Sequence, residues 1–326
     1  MIHVHAVQEK NIKNAAVNKQ GDEMNKTKGI AFGVLAAFIY GCTPILGKLT
    51  YLEGSNSMSL TFYRNFLSIP FLFLMLKSQK IPVRINKSQG KKLAILSLLG
   101  STLTALTLYW SYNYISVGMS TTIHYIYPVL VTAACITIYK EKIGKEKIIA
   151  LILSTIGIMM FFEGNFSIAG VMLALFSGVS YATYILFIDK SGLNVMYPFK
   201  ISLYTAIFSS IYLFLAGIIS GNLVFSMTGK GWFFTFLVAF FVSFLANTFI
   251  PIGVKYVGPT VTSIVGMFEP ISSVILGILI LKEPITIKSV LACILILAGV
   301  LIVTIAKDKK SDEETAEINI KQKKSS

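Results

Sequence analysis

A glutamate followed by a proline lies near the middle of a long apolar stretch of this chain. Glu269 and Pro270 fall within residues 258–284, a stretch long enough to cross a bilayer. A charged side chain at that depth costs about 2.5–3.5 kcal/mol on insertion scales, so such residues usually face a protein interior or a water-filled path. A carboxylate there could exchange protons and couple transport to a gradient, or pair with an amine on a substrate. It could also be a structural acid that hydrogen-bonds a neighbouring helix.

The stretch 258–284 has a weaker copy at residues 118–144, which contains a histidine. Each copy has a proline, Pro128 or Pro270, 13 residues before a glutamate. His124 lies one helical turn before Pro128, and histidine can titrate near neutral pH, so it is a second candidate for proton coupling. The alternative is a hydrogen-bonded packing histidine. Each proline removes a backbone hydrogen bond and kinks its helix, which suits either a hinge or a static bend.

Aromatic and carboxamide side chains near these stretches could line a binding site. Aromatic faces can hold an ammonium group, and a carboxamide both donates and accepts hydrogen bonds, so the combination suits an amphipathic substrate. The alternatives are an interfacial aromatic belt at the outer end of a span and ordinary packing. The candidate substrate-binding residues, besides His124 and Glu269, are Tyr40, Trp110, Asn113, Tyr127, Tyr181 and Asn247.

Three other charged residues are better explained by structure than by binding. Arg64 could bind a substrate carboxylate, but it could equally extend toward the membrane interface or pair with Glu53, and we favour a structural role. Glu141 and Glu283 each follow the end of one apolar segment and precede the next, where a negative charge favours the start of a helix. We expect both glutamates to stabilise helix starts.

The composition indicates which class of protein holds these side chains. Of the 326 residues, 54% are hydrophobic and 13% are charged, about half the charged fraction of a soluble domain. Residues 93–139 contain no Asp, Glu, Lys or Arg, which is long enough for two membrane spans. We therefore predict an all-α polytopic protein whose surroundings are the lipid bilayer.

Several functional classes are disfavoured by the same sequence. The net charge of +14 comes from lysines and arginines in short loops and tails, where topology rules place them, so we predict no nucleic-acid partner. The three cysteines, Cys42, Cys135 and Cys293, lie in apolar segments without the spacing of a disulfide framework or metal site. HExxH, GxSxG and P-loop motifs do not occur. We expect no enzyme activity, no catalytic residues, no metal and no cofactor.

The apolar pattern predicts ten transmembrane helices joined by short connections. They run near 29–49, 58–76, 93–114, 118–139, 147–163, 167–188, 199–220, 231–254, 259–281 and 286–306. With a cytoplasmic N-terminus, 24 of the 29 lysines and arginines fall in cytoplasmic segments and four fall in outer loops or span ends. This asymmetry predicts that both termini are cytoplasmic.

The predicted helices form two similar sets of five. Tyr40 matches Tyr181 at an offset of 141 residues, and Pro128 matches Pro270 at an offset of 142. Because five is odd, the second set starts on the opposite side of the membrane, which gives an inverted repeat typical of secondary transporters. The predicted domains are a disordered cytoplasmic tail at 1–28, five-helix repeats at 29–163 and 170–306, and a disordered charged tail at 307–326. Met24 could be an alternative start.

The repeated segments carry a family resemblance. YVGPTVTSIVGMFEPISSVILGILILKEPITIKSVLACILILAGVLIV in the second half is echoed in the first by YISVGMSTTIHYIYPVLVTAACITIYKEKIGKEKIIALILSTIGIMMFF. The chain resembles the EamA-type ten-helix members of the drug/metabolite transporter superfamily. The resemblance implies a central cavity lined by spans 1, 3, 4, 6, 8 and 9. The chain departs from a symmetric pattern where Tyr127-Pro128 stands in place of Glu269-Pro270, so proton chemistry would differ between the halves.

These observations predict a secondary active transporter in a bacterial-type plasma membrane. We expect it to export a small metabolite, such as an amino acid or a related amphipathic compound, by alternating access. One alternative is an importer of a nucleotide-like or other metabolite. Another is a non-transporting membrane sensor or scaffold that reuses the fold. The predicted partners are a small-molecule substrate and lipid, and two copies could form a homodimer.

Overall fold

The chain folds into long helices. The computed structural model describes residues 24–160, 167–276, 279 and 286–305, and it contains no strand within them. The helices are α1 (Met24–Leu52), α2 (Ser57–Ser78), α3 (Lys87–Ser111), α4 (Met119–Thr137), α5 (Lys145–Met159), α6 (Ile168–Lys190), α7 (Pro198–Ser220), α8 (residues 229–257), α9 (residues 259–276) and α10 (Ile287–Ile305). A 3₁₀ turn at Leu193–Val195 joins α6 to α7. The predicted tail at 307–326, most of the tail at 1–28, and Glu283 lie outside the described residues.

Eight helical runs in the described part of the chain are long and apolar enough to cross a membrane. One of them, Gly229–Gly266, has 38 residues and would measure about 57 Å, nearly twice the ~30 Å hydrocarbon core. It is broken at Gly258, whose φ of 78° is a conformation that favours glycine, and this break separates α8 from α9. The architecture is that of a polytopic α-helical membrane protein.

Two helices begin earlier than the apolar pattern predicts. Residues 24–28, which the apolar pattern assigns to the N-terminal tail, are already helical in α1. Lysine favours helix and can extend its charge into water from the end of a span. Helix α3 begins at Lys87 instead of near residue 93, because Asn86 and Gln89 form a reciprocal capping box. A polar first turn is therefore part of each helix.

The two prolines that we expected to bend their helices follow the bends. Helix α4 is interrupted by a turn at Tyr125 and Ile126, and it resumes with Pro128 in its first turn. Helix α9 is interrupted at Met267 and Phe268, just before Glu269 and Pro270. Proline suits this first-turn position because its missing N–H would have no partner there.

Glu141 does not stabilise the start of α5 as expected. That helix begins at Lys145 after Gly144, and the acid in its first turn is Glu146. The Glu141 carboxylate instead forms an ion pair with the ammonium of Lys190 at the end of α6. A cross-helix partner was available to it, and sequence spacing does not reveal such partners.

Close contacts between the halves recur in reciprocal form. A Cβ atom added to Gly157 of α5 would lie 2.8 Å from the Ala292 carbonyl oxygen of α10. A Cβ atom added to Gly299 of α10 would lie 2.6 Å from the Ala150 carbonyl oxygen of α5. Gly157 precedes Gly299, and Ala150 precedes Ala292, by the same 142 residues. The two helices therefore pack through equivalent residues.

Two π-helical segments also occur at equivalent positions. One spans Leu96–Thr102 in α3 and the other spans Val238–Ala246 in α8. Their first residues are 142 positions apart. In α3 this wider coil is joined to α7 by the Ser97 hydroxyl, which donates to the Thr205 carbonyl oxygen at 2.9 Å. Such π segments are often found near functional sites.

Candidate functional site

A cavity with several polar side chains in its walls lies between the helices of the two halves. Its walls come from α1, α3, α4, α6, α8 and α9, the set that the resemblance implies, and also from α2. The cavity has a volume of about 80 Å³, several times the roughly 10–15 Å³ that one water molecule needs. The lining residues are Tyr40, Thr43, Pro44, Arg64, Ser101, Thr104, Ala105, Leu108, Tyr109, Tyr112, His124, Tyr181, Tyr184, Asn247 and Glu269.

A hydrogen bond joins the two halves across one wall of the cavity. The Tyr40 hydroxyl of α1 donates to Asn247 Oδ1 of α8 at 2.5 Å. Ser202 on α7 donates in turn to the Asn247 backbone oxygen at 3.2 Å. Asn247 follows directly after the π segment of α8. The wider coil and these bonds together fix where the carboxamide faces the cavity.

His124 is held at the cavity wall by hydrogen bonding and by aromatic packing. Its Nδ1 lies 2.9 Å from the Ser177 hydroxyl, which also donates to the Thr104 carbonyl oxygen at 2.9 Å. The imidazole lies 5.3 Å from the Tyr127 ring and 5.5 Å from the Tyr181 ring, measured between centroids. The ring is therefore buried and oriented, which suits either binding or packing.

Tyr127 lies behind the cavity wall. Its ring meets Tyr181 edge to face at a centroid distance of 4.7 Å, and its hydroxyl is 3.4 Å from the Ser263 carbonyl oxygen of α9. It touches two predicted site residues, His124 and Tyr181, without lining the cavity itself. Its position indicates that it supports the aromatic wall.

Glu269 reaches the cavity from the point where α9 resumes after its turn. Helix α1 passes close to this turn because it has glycine there: a Cβ atom on Gly41 would lie 2.8 Å from the Glu269 carbonyl oxygen. An equivalent approach occurs in the other half, where a Cβ atom on Gly178 would lie 2.8 Å from the His124 carbonyl oxygen. The buried Tyr125 hydroxyl lies beside the Glu269 carboxylate, without a hydrogen bond of good geometry between them.

Arg64 belongs to the cavity, although the sequence favoured a structural role for it. Its side chain is 6% exposed, and its Nη1 donates to the Tyr109 hydroxyl at 2.6 Å. It does not pair with Glu53, whose carboxylate accepts a hydrogen bond from the Thr228 hydroxyl instead. Its position well inside an apolar span could have identified it. A charged side chain at that depth costs free energy unless it faces a protein interior.

Trp110 and Asn113 lie outside the cavity. Trp110 is 48% exposed, and Asn113 is an exposed residue in the turn that follows α3. The cavity is lined instead by Tyr109 and Tyr112, which are three residues apart and share a helix face. A step of one residue rotates a side chain by roughly 100°, so Trp110 points away from the face that its neighbours share.

Pro128 and Pro270, the expected hinge residues, are both buried next to the site. Each lies in the first turn of the resumed helix. The backbone beside each interruption lies close to a glycine of the opposite half, Gly178 or Gly41. Within the described residues, no group of three or more His, Cys, Asp and Glu side chains could hold a metal ion. The side chains that line the cavity can form hydrogen bonds, charge pairs and aromatic contacts.

Comparison with known proteins agrees with this architecture. The family model described as the EamA-like transporter family matches the chain twice, over residues 27–162 and 168–305. A protein named an uncharacterized transporter from Clostridium kluyveri is 23% identical over 299 residues, covering 88% of this chain and 96% of its own length. The uncharacterized transporter YvbV of Bacillus subtilis is 27% identical over 256 residues, covering 74% of this chain and 80% of its own.

A solved structure shares the fold. It is a crystal structure with a TM-score of 0.73 and 12% sequence identity, covering 85% of this chain and 97% of that chain. At this identity the likeness concerns the fold alone. The family match, which spans both halves and nearly all of the described residues, decides the identity. The chain belongs to the EamA-like transporter family, and it is a multi-pass transporter of the plasma membrane rather than an enzyme.

Proposed function

We propose that this protein is a secondary active transporter that exports a small metabolite, such as an amino acid or a related amphipathic compound. Each of α1–α10 crosses the membrane once, and α1–α5 and α6–α10 form two halves of opposite orientation. The two halves open the cavity to each side of the membrane in turn. Both termini lie in the cytoplasm.

Reciprocal packing supports two related halves. The contact of Gly157 with Ala292 is matched by that of Gly299 with Ala150. A Cβ atom on Gly29 of α1 would lie 2.9 Å from Tyr256 Cβ, and a Cβ atom on Gly170 of α6 would lie 2.9 Å from Tyr114 Cβ. Pairs that exchange roles in this way are expected from two copies of one fold related by a two-fold axis, as in inverted-repeat transporters.

The observation that carries the proposal is the cavity between the halves, whose walls contain an arginine, a glutamate and several tyrosines. A membrane sensor or scaffold that reuses the fold would retain the packing glycines and prolines, but it would not need a cavity that holds several water molecules and is lined by Arg64, Glu269 and several tyrosines. Buried charge inside a membrane is costly and usually marks a substrate or ion pathway. The cavity therefore favours transport over a purely structural use of the fold.

We further propose that Glu269 couples transport to a proton gradient, with His124 as a second titratable group in the same cavity. The carboxylate faces the cavity, so a proton or a substrate could reach it from either side as the halves open. The turns before Pro128 and Pro270 are the expected hinges. Each turn contains backbone hydrogen bonds from residue i to residue i−3. An example is the Met267 amide, which donates to the Ile264 carbonyl oxygen at 3.1 Å.

A transport measurement tests this proposal. Purified protein is reconstituted into vesicles loaded with a mixture of metabolites, and their movement is followed with and without an imposed pH gradient. We expect a small set of metabolites to move and the gradient to change their rate. In the Glu269→Gln variant that response should vanish, because a carboxamide cannot bind and release a proton.

The matched control is Glu146→Gln, the same change at an exposed position in the first turn of α5. It should keep the response to the gradient. Full pH-dependent transport by Glu269→Gln would contradict the coupling role. Failure of every metabolite to move in the wild-type protein would contradict transport by secondary coupling.

A further inference from the structure

The cavity lies toward one end of the helices that surround it. It is lined by the second halves of α1 and α3 and by the first halves of α2 and α4. The Ser57 hydroxyl at the start of α2 donates to the Tyr109 carbonyl oxygen near the end of α3 at 3.2 Å, so these segments meet at one end of the bundle. In the proposed topology this is the outer end.

The same bundle is closed at its opposite end by packed side chains. They come from α3, α4, α6 and α9, belong to one hydrophobic cluster and are at most 4% exposed. They are Leu93, Val131, Cys135, Ile185, Ile188, Val261 and Ile264. A molecule in the cavity would have to pass between these side chains to reach the cytoplasm, so the cluster closes that path in this conformation.

An ion pair joins the two halves just outside this closed end. The Lys190 ammonium at the end of α6 pairs with the Glu141 carboxylate, which belongs to the connection between α4 and α5. The ammonium also lies 2.8 Å from Asp189 Oδ2 and 4.9 Å from the centre of the Tyr139 ring. The Glu141 amide donates to the Cys135 carbonyl oxygen at 2.9 Å, so the charged connection is bonded directly to a residue of the closed cluster.

The exposure of this pair suits a contact that breaks and re-forms. The Lys190 side chain is 23% exposed and the Glu141 side chain is 36% exposed. Water can therefore solvate both charges when they separate, whereas separating a fully buried pair leaves charges in a low-dielectric interior. Helices α4 and α6 must move apart at this end if the halves are to open the cavity to the cytoplasm, and that motion separates the pair.

We infer that the Glu141–Lys190 ion pair is a latch that holds the cytoplasmic end of the transport path closed while the cavity faces outward. The pair separates when the halves open toward the cytoplasm. This inference rests on the proposed function, since it assigns the contact to the alternating-access motion. Neither residue lines the cavity, so the latch sets the balance between two conformations and does not select the substrate.

The thiol of Cys135 makes the latch measurable without a substrate. It is fully buried in the closed cluster, and it remains as the single cysteine in a parent protein that carries Cys42→Ala and Cys293→Ala. A membrane-impermeant thiol reagent is added to inside-out vesicles, and the labelling rate follows the fraction of time that the cytoplasmic end is open. We expect the double variant Glu141→Gln/Lys190→Gln to label about 2- to 5-fold faster than the parent, the range expected for loss of one partly exposed ion pair.

The double variant also separates opening from a direct effect of charge on the thiol. Cys135 lies within electrostatic reach of both charges. A carboxylate disfavours the reactive thiolate and an ammonium favours it, so these effects nearly cancel when both charges are removed. Labelling of the double variant at the parent rate would overturn the inference.

Matched single variants show whether the pairing itself is responsible. Lys190→Arg keeps a cation that can bind the carboxylate, and it should label at the parent rate. Lys142→Gln and Glu146→Gln remove exposed charges from the same region of the chain, and they should also label at the parent rate. Faster labelling in either exposed-site control, equal to that of the double variant, would overturn a specific role for the pair.

A deeper reporter distinguishes opening of the halves from local loosening. Val131 lies one helical turn before Cys135 and is also fully buried. Val131→Cys is made in a background where all three native cysteines are alanine, with and without the double variant. Opening of the halves predicts a similar 2- to 5-fold increase at this position. An increase at Cys135 without one at position 131 would mean that only the end of α4 loosens, and it would overturn the latch.

The latch and the proposed transport can fail separately. If metabolites move across vesicles but the double variant labels like the parent, the latch is wrong and transport stands. If both reporters label faster in the double variant but no metabolite moves in the wild-type protein, transport is wrong and the latch between two conformations stands.

Discussion

At the scale of single residues, the hydrogen bond between Tyr40 and Asn247 connects the halves at the cavity. Tyr40 and Asn247 come from α1 and α8, and their 2.5 Å bond crosses between segments that are 207 residues apart in sequence. An alternating-access motion that separates the halves on one side must stretch or exchange such a bond. Its strength therefore influences both stability and the balance between conformations.

Tyr40→Phe removes the donor and leaves the ring. We expect the free energy of unfolding to fall by about 1 kcal/mol, because Asn247 Oδ1 loses its partner in a partly buried site. Denaturant titration of the detergent-purified protein measures this change. Tyr114→Phe, at a tyrosine that is 47% exposed, should change the free energy by much less. An equal effect in the two variants would contradict the importance of the bond.

Residue types predict the candidate site better than residue positions do. Tyr40, His124, Tyr181, Asn247 and Glu269 are polar or aromatic within apolar helices, and the structure brings all five to one cavity. Trp110 and Asn113 looked equally suitable by type. The direction of each side chain depends on how α3 is rotated, and a π segment in that helix changes the rotation in a way that periodicity does not reveal.

Arg64 is a cavity residue that its sequence neighbours did not reveal. An arginine in an apolar span can extend to the membrane interface, pair with an acid, or enter a cavity, and its neighbours in sequence do not distinguish these outcomes. The deciding partner, Tyr109, is 45 residues away. Contacts of this kind depend on packing between helices.

At the scale of helices, α5 and α10 pack through small residues. Gly157 meets the Ala292 carbonyl oxygen, and Gly299 meets the Ala150 carbonyl oxygen and the Ser154 side chain. Small residues let membrane helices approach closely enough for van der Waals contact, which drives their association in lipid. The pair contributes no residue to the cavity lining, so its contribution is to stability.

Gly299→Ala inserts one methyl group into this contact. The added carbon would lie 2.6 Å from the Ala150 oxygen, and the helices must move apart, with an expected loss of about 1–3 kcal/mol in the free energy of unfolding. Gly229→Ala is the control, since nothing lies within 4 Å of its added carbon. Thermal unfolding of the two variants measures the difference, and an equally stable Gly299→Ala protein would contradict tight packing here.

Helices and their order were predictable, while some ends and interruptions were not. Hydropathy located the apolar cores, but the capping box at Asn86 and Gln89 places the start of α3 about one and a half turns earlier. The turn in α9 also comes before Glu269 and Pro270 in the chain, so the proline lies after the bend and not within it. Local hydrogen bonds determine where these helices start and where they are interrupted. Hydropathy averaged over a window of residues does not detect such bonds.

At the scale of the whole molecule, the distribution of positive charge predicts orientation. With a cytoplasmic N-terminus, 24 of the 29 lysines and arginines lie on the cytoplasmic side. We expect green fluorescent protein fused after Ser326 to fluoresce and alkaline phosphatase fused there to be inactive. An active phosphatase fusion would contradict the cytoplasmic C-terminus.

The central claim is that one cavity opens to both sides of the membrane. Thr43 is suited to test it, because it lines the cavity, is 7% exposed, and has a hydroxyl without a partner among the described residues. Thr43→Cys would be made in a background where Cys42, Cys135 and Cys293 are replaced by alanine. A membrane-impermeant thiol reagent is then added to right-side-out and to inside-out vesicles. The account predicts labelling from both sides, and labelling from one side alone under every condition would contradict it.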